Sequence, residues 1–379
     1  MIGDDFAELK LFITGPILLR EEVRKAGLLP EFGHRDSENP KRFGPIMENL
    51  MTIAGNPEGY IPVIFNGSGT NVLESSVRSL VADSEKVLNV SVGAFGDLYH
   101  QLAVLNGKNA VQLKFSYGRA VDLDKLDAAL RDHKPDVVTF THNETSTGVT
   151  NDVVAICEMI RAHGAKPIID AVSIFGGAPA MISECRPLMY CTSTQKSLGL
   201  PAGYGIGFIS DEALEKAESV QNRGYTTDII GQAAKARINQ TLTTPNGTLA
   251  NQLCVQLDYI VNDETVDGRF KRHEEMRAIA HKWVESMDGY GLFAQEGYRS
   301  PSMTAFKTPA HMSIARLKEV KELMRGHGYL FDPGYGKINK ELEELGESPI
   351  FRVGHMGDIM PGMLAEYLEV LGGVLKSFK

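Results

Sequence analysis

The sequence predicts an α/β protein with a mostly parallel sheet in a large domain and a smaller α/β domain near the C-terminus. Two observations lead to this prediction. Between residues 60 and 210, short β-rich apolar runs alternate with amphipathic stretches, which is the pattern of parallel strands connected by helices. Beyond about residue 265 the chain changes to charged helical segments, and its 379 residues are enough for two domains.

Seven apolar runs are predicted to be the strands of the large sheet. They are YIPVIF (60–65), KVLNVSV (86–92), NAVQLKF (109–115), DVVTFTH (136–142), KPIIDAV (166–172), PLMYCTST (187–194) and GYGIGFIS (203–210). Amphipathic helical faces lie between several of them, at residues 73–81, 123–130 and 153–160. The glycines of the last run have the spacing G-x-G-x-G instead of a dinucleotide fingerprint, so we interpret this run as a strand that packs closely.

The C-terminal part contains signals for three helices and one strand. The helices are predicted at RFKRHEEMRAIAHKWVESM (269–287), SIARLKEVKELMRGHG (313–328) and MLAEYLEVLGGVLKS (363–377), and the strand at PIFRVGHM (349–356). We therefore predict a large domain over residues 21–265 and a small domain over residues 266–379. The Gly- and charge-rich stretch from about 328 to 348, within the small domain, fits either a lid over the site or a solvated excursion.

Composition and charge exclude several classes of protein. The formal net charge of −9 argues against a nucleic-acid-binding surface, because such proteins usually carry a basic face. No apolar run is long enough to span a bilayer, and the first residues lack the apolar core of a secretory signal. The four cysteines have no C-x-x-C spacing and the ten histidines no ligand spacing, so we expect reduced thiols, no metal and a cytoplasmic protein.

The turn GSGT (67–70), between a predicted strand and a predicted helix, is the first candidate site. Glycines let backbone N–H groups face an anion, and a helix N-terminus favours negative charge. Ser68 and Thr70 add hydroxyl donors. An ordinary turn with Thr70 as the N-cap explains the same residues, and no GK[ST] follows, so the turn is not a Walker loop. On these residues alone, both interpretations stay open.

Three charged side chains are further candidates. Asp170 ends a predicted strand at the sheet edge where such folds bind ligands, although a turn aspartate fits equally. Lys196 lies in STQKSLG (193–199) without a nearby acid, and a desolvated lysine becomes a nucleophile toward aldehydes; a surface lysine is the alternative. Arg352 lies in FRVGHMGD (351–358) and points away from its apolar neighbours, where it can clamp a carboxylate or pair with a surface acid.

The order of these motifs resembles the class V aminotransferases, which are pyridoxal-phosphate enzymes of the aspartate aminotransferase fold (fold type I). The resemblance is to the alanine–glyoxylate and serine–glyoxylate types and runs from ITGP (13–16) to FRVGHMGD. Its most specific part is D-A-V-S (170–173) followed by S-T-Q-K (193–196) and the G-x-G run. The resemblance implies pyridoxal 5′-phosphate as cofactor, a homodimer with shared active sites, and an N-terminal segment (1–20) that lines the site.

The resemblance also implies roles for individual residues toward the cofactor. Lys196 would form the Schiff base and then shuttle a proton, and Asp170 would keep the pyridine nitrogen protonated. Other residues would hold the phosphate, contact the two faces of the ring and bond the phenolic oxygen. Those for the phosphate are Ser68, Gly69, Thr70 and Gln195. Those for the two faces of the ring are Phe95 and Val172, and Thr145 would bond the phenolic oxygen.

Three more residues are implied for the substrate and for the partner subunit. Arg352 would bind the substrate α-carboxylate, and Gly15 would line the substrate pocket. Thr243, in LTTPN (242–246), corresponds to a threonine that reaches the phosphate of the partner subunit's cofactor. Relatives place a tyrosine three residues before it, where this chain has Gln240.

The implied activity is a transamination from a small amino acid, of the alanine or serine type, to a small 2-oxo acid such as glyoxylate or pyruvate. The alternative is a 2-aminoethylphosphonate–pyruvate transaminase, whose phosphonate would need cations such as those of HRDSENPKR (34–42). A cysteine desulfurase needs a late thiolate, and residues 255–379 contain no cysteine. A non-catalytic, cofactor-binding regulator is disfavoured because no DNA-binding extension or basic segment is present.

Overall fold

The computed structural model describes residues 9–378 and confirms the predicted α/β architecture. The strands are β1 (Lys10–Leu11), β2 (Tyr60–Asn66), β3 (Lys86–Ser91), β4 (Asn109–Lys114), β5 (Val137–Thr141), β6 (Asn143–Glu144), β7 (Val149–Thr150), β8 (Lys166–Asp170), β9 (Met189–Ser193), β10 (Tyr204–Ser210), β11 (Gly291–Leu292), β12 (Met303–Lys307), β13 (Tyr329–Leu330) and β14 (Ile350–Gly354). The helices are α1 (Glu21–Ala26), α2 (Asn39–Ile53), α3 (Gly69–Leu80), α4 (Ala94–Leu105), α5 (Leu123–His133), α6 (Val153–Ala162), α7 (Ile182–Cys185), α8 (Asp211–Glu218), α9 (Ile229–Ala236), α10 (Gly247–Asp258), α11 (Val266–Glu285), α12 (Ile314–Gly326), α13 (Gly336–Glu344) and α14 (Pro361–Lys376), with a π-helical turn at Tyr259–Asp263.

A seven-stranded sheet forms the centre of the larger part of the molecule. Its strand order is β2-β10-β9-β8-β5-β3-β4. Strand β10 is antiparallel to both of its neighbours, and the other neighbouring strands are parallel. All seven predicted runs are strands of this sheet. The predicted close packing of β10 is also confirmed, since a Cβ on Gly205 would lie 3.0 Å from the carbonyl oxygen of Ser68.

Apolar side chains form two main cores. The first is built from residues between 23 and 260, together with Ala294. The second contains Phe12 and residues between 276 and 375, and its three-stranded sheet has the order β11-β12-β14. The predicted C-terminal elements are confirmed as α11, α12, β14 and α14. The domain boundary after residue 265 remains a prediction, which this division of the apolar side chains supports.

The N-terminal chain connects the second core with the edge of the large sheet. Strand β1 pairs in parallel with β13, and Phe12 is buried in the second core. The chain then crosses Gly354, where a Cβ would lie 2.1 Å from the carbonyl oxygen of Ile13. This path brings Thr14 and Gly15 to the candidate site. Residues 1–8 of the predicted segment 1–20 lie outside the described residues.

The stretch between residues 328 and 348 packs against the second core and against a smaller apolar cluster. It consists of β13, a short connection and α13, which buries two of its apolar side chains. The Nζ atom of Lys337 lies 3.1 Å from a carboxylate oxygen of Asp97 on α4. Residues 329–342 therefore do not form a solvated excursion, because their apolar side chains pack against neighbouring elements, whereas residues 343–347 are exposed. The role of a lid stays a prediction. Across the described residues, none of the helices has the length and apolar character needed to cross a membrane.

Candidate active site

A cavity of about 110 Å³ opens at the C-terminal edge of the parallel strands, in front of the first turn of α3. Most of the predicted site residues line it. These are Ser68, Gly69, Thr70, Phe95, Thr145, Asp170, Val172, Gln195 and Lys196. The lining is completed by Leu73, Leu98 and Asn143. The sheet thus brings together residues that are more than a hundred positions apart in the sequence.

Lys196 follows β9 and extends its amine into the cavity. The Nζ atom donates a hydrogen bond to the carbonyl oxygen of Thr14. Desolvation and the nearby charge of Arg352 lower the pKa of Lys196 to about 8, although Asp332 and Asp170 act in the opposite direction. Gly15 is required beside it, because a Cβ there would lie 2.7 Å from the Nζ atom. The uncharged, nucleophilic fraction of this amine near neutral pH is therefore much larger than that of an ordinary lysine, although the charged form still predominates at pH 7.

Asp170 lies at the end of β8, on the floor of the cavity. Its Oδ1 atom accepts a hydrogen bond from the backbone N–H of Val172 at 2.9 Å. Burial, with a smaller contribution from the charge of Glu144, raises the pKa of Asp170 to about 7, while the Val172 N–H and Lys196 oppose this shift. A buried carboxylate with a raised pKa is stabilised by a cation placed against it. Asp170 is therefore suited to pair with a positively charged ring nitrogen.

Glu144 is a buried acid that the sequence analysis did not single out. One of its oxygens accepts from the backbone N–H groups of Phe95 and Gly96, at 3.2 and 3.1 Å, and the other accepts from the Ser146 hydroxyl at 2.6 Å. Burial raises the pKa of Glu144, and these hydrogen bonds oppose the shift. Glu144 therefore holds the N-terminus of α4, and with it Phe95, against the cavity.

The turn before α3 has the composition of an anion site. The N-cap is Ser68 instead of Thr70, and its side chain makes no capping hydrogen bond. A Cβ on Gly69 would lie 2.7 Å from a methyl carbon of Val172, so the backbone approaches the cavity closely. The side-chain oxygens of Ser193 and Gln195 are buried without a hydrogen-bond partner in the described chain. Free hydroxyls and N–H groups at a helix N-terminus fit a phosphate group.

Arg352 lies on β14, beside the wall of the cavity. Its neighbours Phe351 and Val353 point into the second core, and Arg352 points to the opposite face, as predicted. Its Nη1 atom donates to the carbonyl oxygen of Thr145 at 2.9 Å, and its Nη2 atom lies 3.0 Å from Asp332. The Nε atom is buried and has no partner in the described chain. One donor of the guanidinium is thus available beside the cavity.

Thr243 does not line the cavity of its own chain. Its hydroxyl accepts a hydrogen bond from Asn66, at 2.7 Å, beyond the exposed end of β2. Arg35 fixes this segment by donating to the carbonyl oxygens of Thr241 and Leu242, at 3.0 and 2.9 Å. The contact between Thr243 and a partner subunit's cofactor therefore stays a prediction.

Comparisons with known proteins extend over nearly the whole chain. The family model described as Aminotransferase class-V matches residues 62–325. The serine–glyoxylate aminotransferase of Methylorubrum extorquens is 26% identical over 361 residues, which cover 92% of this chain and 86% of that protein. The 2-aminoethylphosphonate–pyruvate transaminase of Vibrio cholerae is 25% identical over 368 residues, or 95% and 96% of the two chains. The solved pyridoxamine–pyruvate aminotransferase from Mesorhizobium loti has a TM-score of 0.89 at 25% identity and covers 98% of this chain and 93% of its own.

Proposed function

The chain belongs to the class V aminotransferases, and from this premise we propose that it transfers an amino group from a small amino acid, of the alanine or serine type, to a small 2-oxo acid such as glyoxylate or pyruvate. The proposal rests on one observation, the position of Lys196, Asp170 and the turn before α3 around a single cavity. Pyridoxal 5′-phosphate is the proposed cofactor. When bound, it supplies an electron sink for the negative charge that develops at Cα of an amino acid.

The positions of the lining residues support the proposed cofactor contacts. Asp170 would hold the proton at the ring nitrogen, and Lys196 would hold the aldehyde carbon. The phosphate would be held by Ser68, Gly69, Thr70 and Gln195. The ring would lie between Phe95 and Val172, with Thr145 near its phenolic oxygen. The Ser193 hydroxyl is buried without a partner in the described chain and lies 3.2 Å from the position of a Cβ on Gly69, so it can donate to a group at the phosphate position.

Lys196 has the properties needed to move a proton at the substrate Cα. Proton transfer is most efficient when the pKa of the transferring group lies near the working pH, and the lowered pKa of Lys196 is about 8. The carbonyl of Thr14 orients the amine. Gly15 is proposed to line the substrate pocket, because its missing side chain leaves room beside the Nζ atom.

The same pKa predicts how cofactor capture depends on pH. Only the uncharged amine attacks an aldehyde, so the rate of cofactor binding by the cofactor-free protein should rise with pH and reach half of its maximum near pH 8. Stopped-flow recording of the visible absorption band measures this rate. As a control, lysine acetylated at its α-amino group, with a free side-chain amine, should continue to react faster up to its amine pKa of about 10.4. A protein profile that follows the free lysine would contradict the lowered pKa.

Arg352→Gln is expected to raise KM for carboxylate substrates about a hundredfold while changing kcat less, because a desolvated charge pair with the substrate is lost. Steady-state kinetics with L-alanine and pyruvate measure both constants. The matched control is Arg277→Gln, which removes an arginine that pairs with Glu274 on α11 and should leave KM unchanged. Because Arg352→Gln leaves Asp332 unpaired, the double variant with Asp332→Asn checks that the loss is not due to misfolding. An unchanged KM for every acid would place the carboxylate site elsewhere.

We also propose that the active protein is a cytoplasmic homodimer with shared sites. Ser68 and Thr70 are exposed in the isolated chain, although both would hold the phosphate. Asn66 connects this exposed edge to Thr243. A second subunit that covers the edge would complete the phosphate site with its own Thr243.

The cations suggested for a phosphonate substrate have other contacts. Arg35 is bonded to backbone carbonyls, Lys41 pairs with Glu38, and the guanidinium of Arg42 lies 3.7 Å from the ring centre of Phe32. None of these cations lines the cavity of the described chain. Within one subunit the arrangement therefore favours the small amino acid as the donor. Because Arg35 bonds to the segment that carries Thr243, 2-aminoethylphosphonate stays the alternative for a site shared between subunits.

Product analysis with the cofactor-loaded protein tests the proposed function. L-Alanine with glyoxylate should give pyruvate and glycine, and L-serine should give hydroxypyruvate. Activity confined to 2-aminoethylphosphonate would select the alternative. The absence of any amino-group transfer from all three donors would overturn the proposal.

A further inference from the structure

Arg352, the proposed receptor of the substrate carboxylate, is already paired with an acid of the chain. The Nη2 atom of Arg352 lies 3.0 Å from Oδ2 of Asp332 and 3.1 Å from its Oδ1 atom. Both residues are buried, with 7% exposure for Arg352 and 6% for Asp332. The pair joins β14 to the connection between β13 and α13. A charge pair at this depth is screened only weakly by water and salt.

Asp332 is held rigidly in front of the arginine. Its Oδ2 atom accepts a hydrogen bond from the Thr14 hydroxyl at 3.0 Å, and its Oδ1 atom accepts from the backbone N–H of Gly334 at 3.0 Å. The backbone N–H of Arg352 donates to the Asp332 carbonyl, also at 3.0 Å. Because both carboxylate oxygens accept hydrogen bonds from the protein, we expect Asp332 to keep its position when a substrate binds.

The charges around the cavity then suit a single substrate carboxylate. The free Nε–H group of Arg352 can donate to one such group. Within this subunit a second carboxylate would lack a cation, because Lys196 is the one lysine or arginine that lines the cavity among the described residues, and it is committed to the cofactor. The carboxylate of Asp332 would instead disfavour it, because like charges that are juxtaposed in a desolvated site are strongly disfavoured.

We infer that Asp332 is a specificity-determining residue that restricts the site to monocarboxylic substrates and excludes dicarboxylic amino acids and 2-oxo acids. It acts through Arg352 and is therefore a positioning residue: it orients the guanidinium and cancels its charge. This inference rests on the proposed function, since it concerns the same site.

The test compares a monocarboxylic and a dicarboxylic acceptor in the cofactor-loaded protein and in Asp332→Asn. Asparagine preserves the shape and one acceptor oxygen but removes the charge. The ratio of kcat/KM for 2-oxoglutarate to that for pyruvate, with L-alanine as donor, should rise about tenfold or more, mainly through KM. Glu341→Gln is the matched control, because Glu341 lies on α13 and bonds to Tyr117 at 2.5 Å without contacting Arg352. Its ratio should equal that of the unmodified protein.

A binding measurement separates a charge effect from a structural one. Calorimetry with propionate and succinate, which carry no amino group, should show the same shift in relative affinity for Asp332→Asn. Should that variant fail to fold, Asp332→Glu keeps the charge and should retain the low ratio. The inference is overturned if the unmodified protein uses 2-oxoglutarate as well as pyruvate, or if Asp332→Asn weakens both acids equally. Failure of the unmodified protein to transaminate any acid would instead overturn the proposed function.

Discussion

Replacement of Lys196 by alanine is expected to abolish transamination and to leave the protein folded. The rate should fall by at least about 10⁴-fold, because the variant loses both the nucleophile and the group that moves the proton. The fold should persist because burial disfavours the charged amine, whose hydrogen bond goes to the carbonyl of Thr14. Product formation measures the loss, and thermal unfolding followed by circular dichroism measures the fold.

Two further variants make this experiment decisive. Lys196→Arg keeps a positive charge and a long side chain but cannot bond to an aldehyde in the same way, so it should be as inactive as the alanine variant. Lys216→Ala removes a lysine that pairs with Glu85 far from the cavity and should keep full activity. Turnover retained by a folded Lys196→Ala protein would remove Lys196 from its proposed role.

Asp170→Asn is expected to lower kcat by about 10²–10³-fold, the size of effect seen when one preorganised electrostatic partner is lost. An uncharged amide cannot stabilise a protonated ring nitrogen as a carboxylate does. Asp136→Asn is the matched control, because Asp136 bonds to the backbone of Lys86 at the opposite edge of the same sheet and should leave kcat unchanged. Steady-state kinetics at saturating cofactor check both variants, and an unaltered kcat in Asp170→Asn would contradict the role.

The same variant should alter how stability depends on pH. Folding raises the pKa of Asp170 from 3.8 to about 7, so the folded state binds a proton that the unfolded state releases between these values. The contribution of Asp170 to the free energy of unfolding of the cofactor-free protein therefore decreases as the pH rises across this range. Asparagine has no such proton, and Asp170→Asn should lack this part of the decrease. Urea unfolding at pH 4 and pH 7 measures the difference.

The sequence was sufficient to predict the large sheet because most of its strands are buried on both faces; the edge strand β4 is half-buried. Strands such as β5 and β10 are buried along their whole length and therefore appear as continuous apolar runs. The cavity was predictable for a related reason. Asp170 ends a strand, GSGT follows another, and the carboxyl ends of parallel strands meet at one edge.

The acids that organise the site could not be predicted in the same way. Asp332 lies 20 positions from Arg352, and Glu144 lies 49 positions from the N–H of Phe95 that it binds. Their partners are set by the packing of separate elements, and no local spacing indicates such pairs. The sequence contained one weaker signal for Glu144, which is the acid in NETSTG (143–148). An acid can bind the N-terminus of a helix, but the sequence did not indicate which helix.

The central proposal is that Lys196 holds an aldehyde cofactor and that the protein transfers an amino group from a small amino acid. The most direct test is the visible absorption spectrum of the purified protein with pyridoxal 5′-phosphate, before and after addition of L-alanine, L-serine, L-aspartate or 2-aminoethylphosphonate. We predict a visible band that is absent from Lys196→Ala and that L-alanine or L-serine bleaches, whereas L-aspartate does not. A protein that forms no such band would contradict the claim.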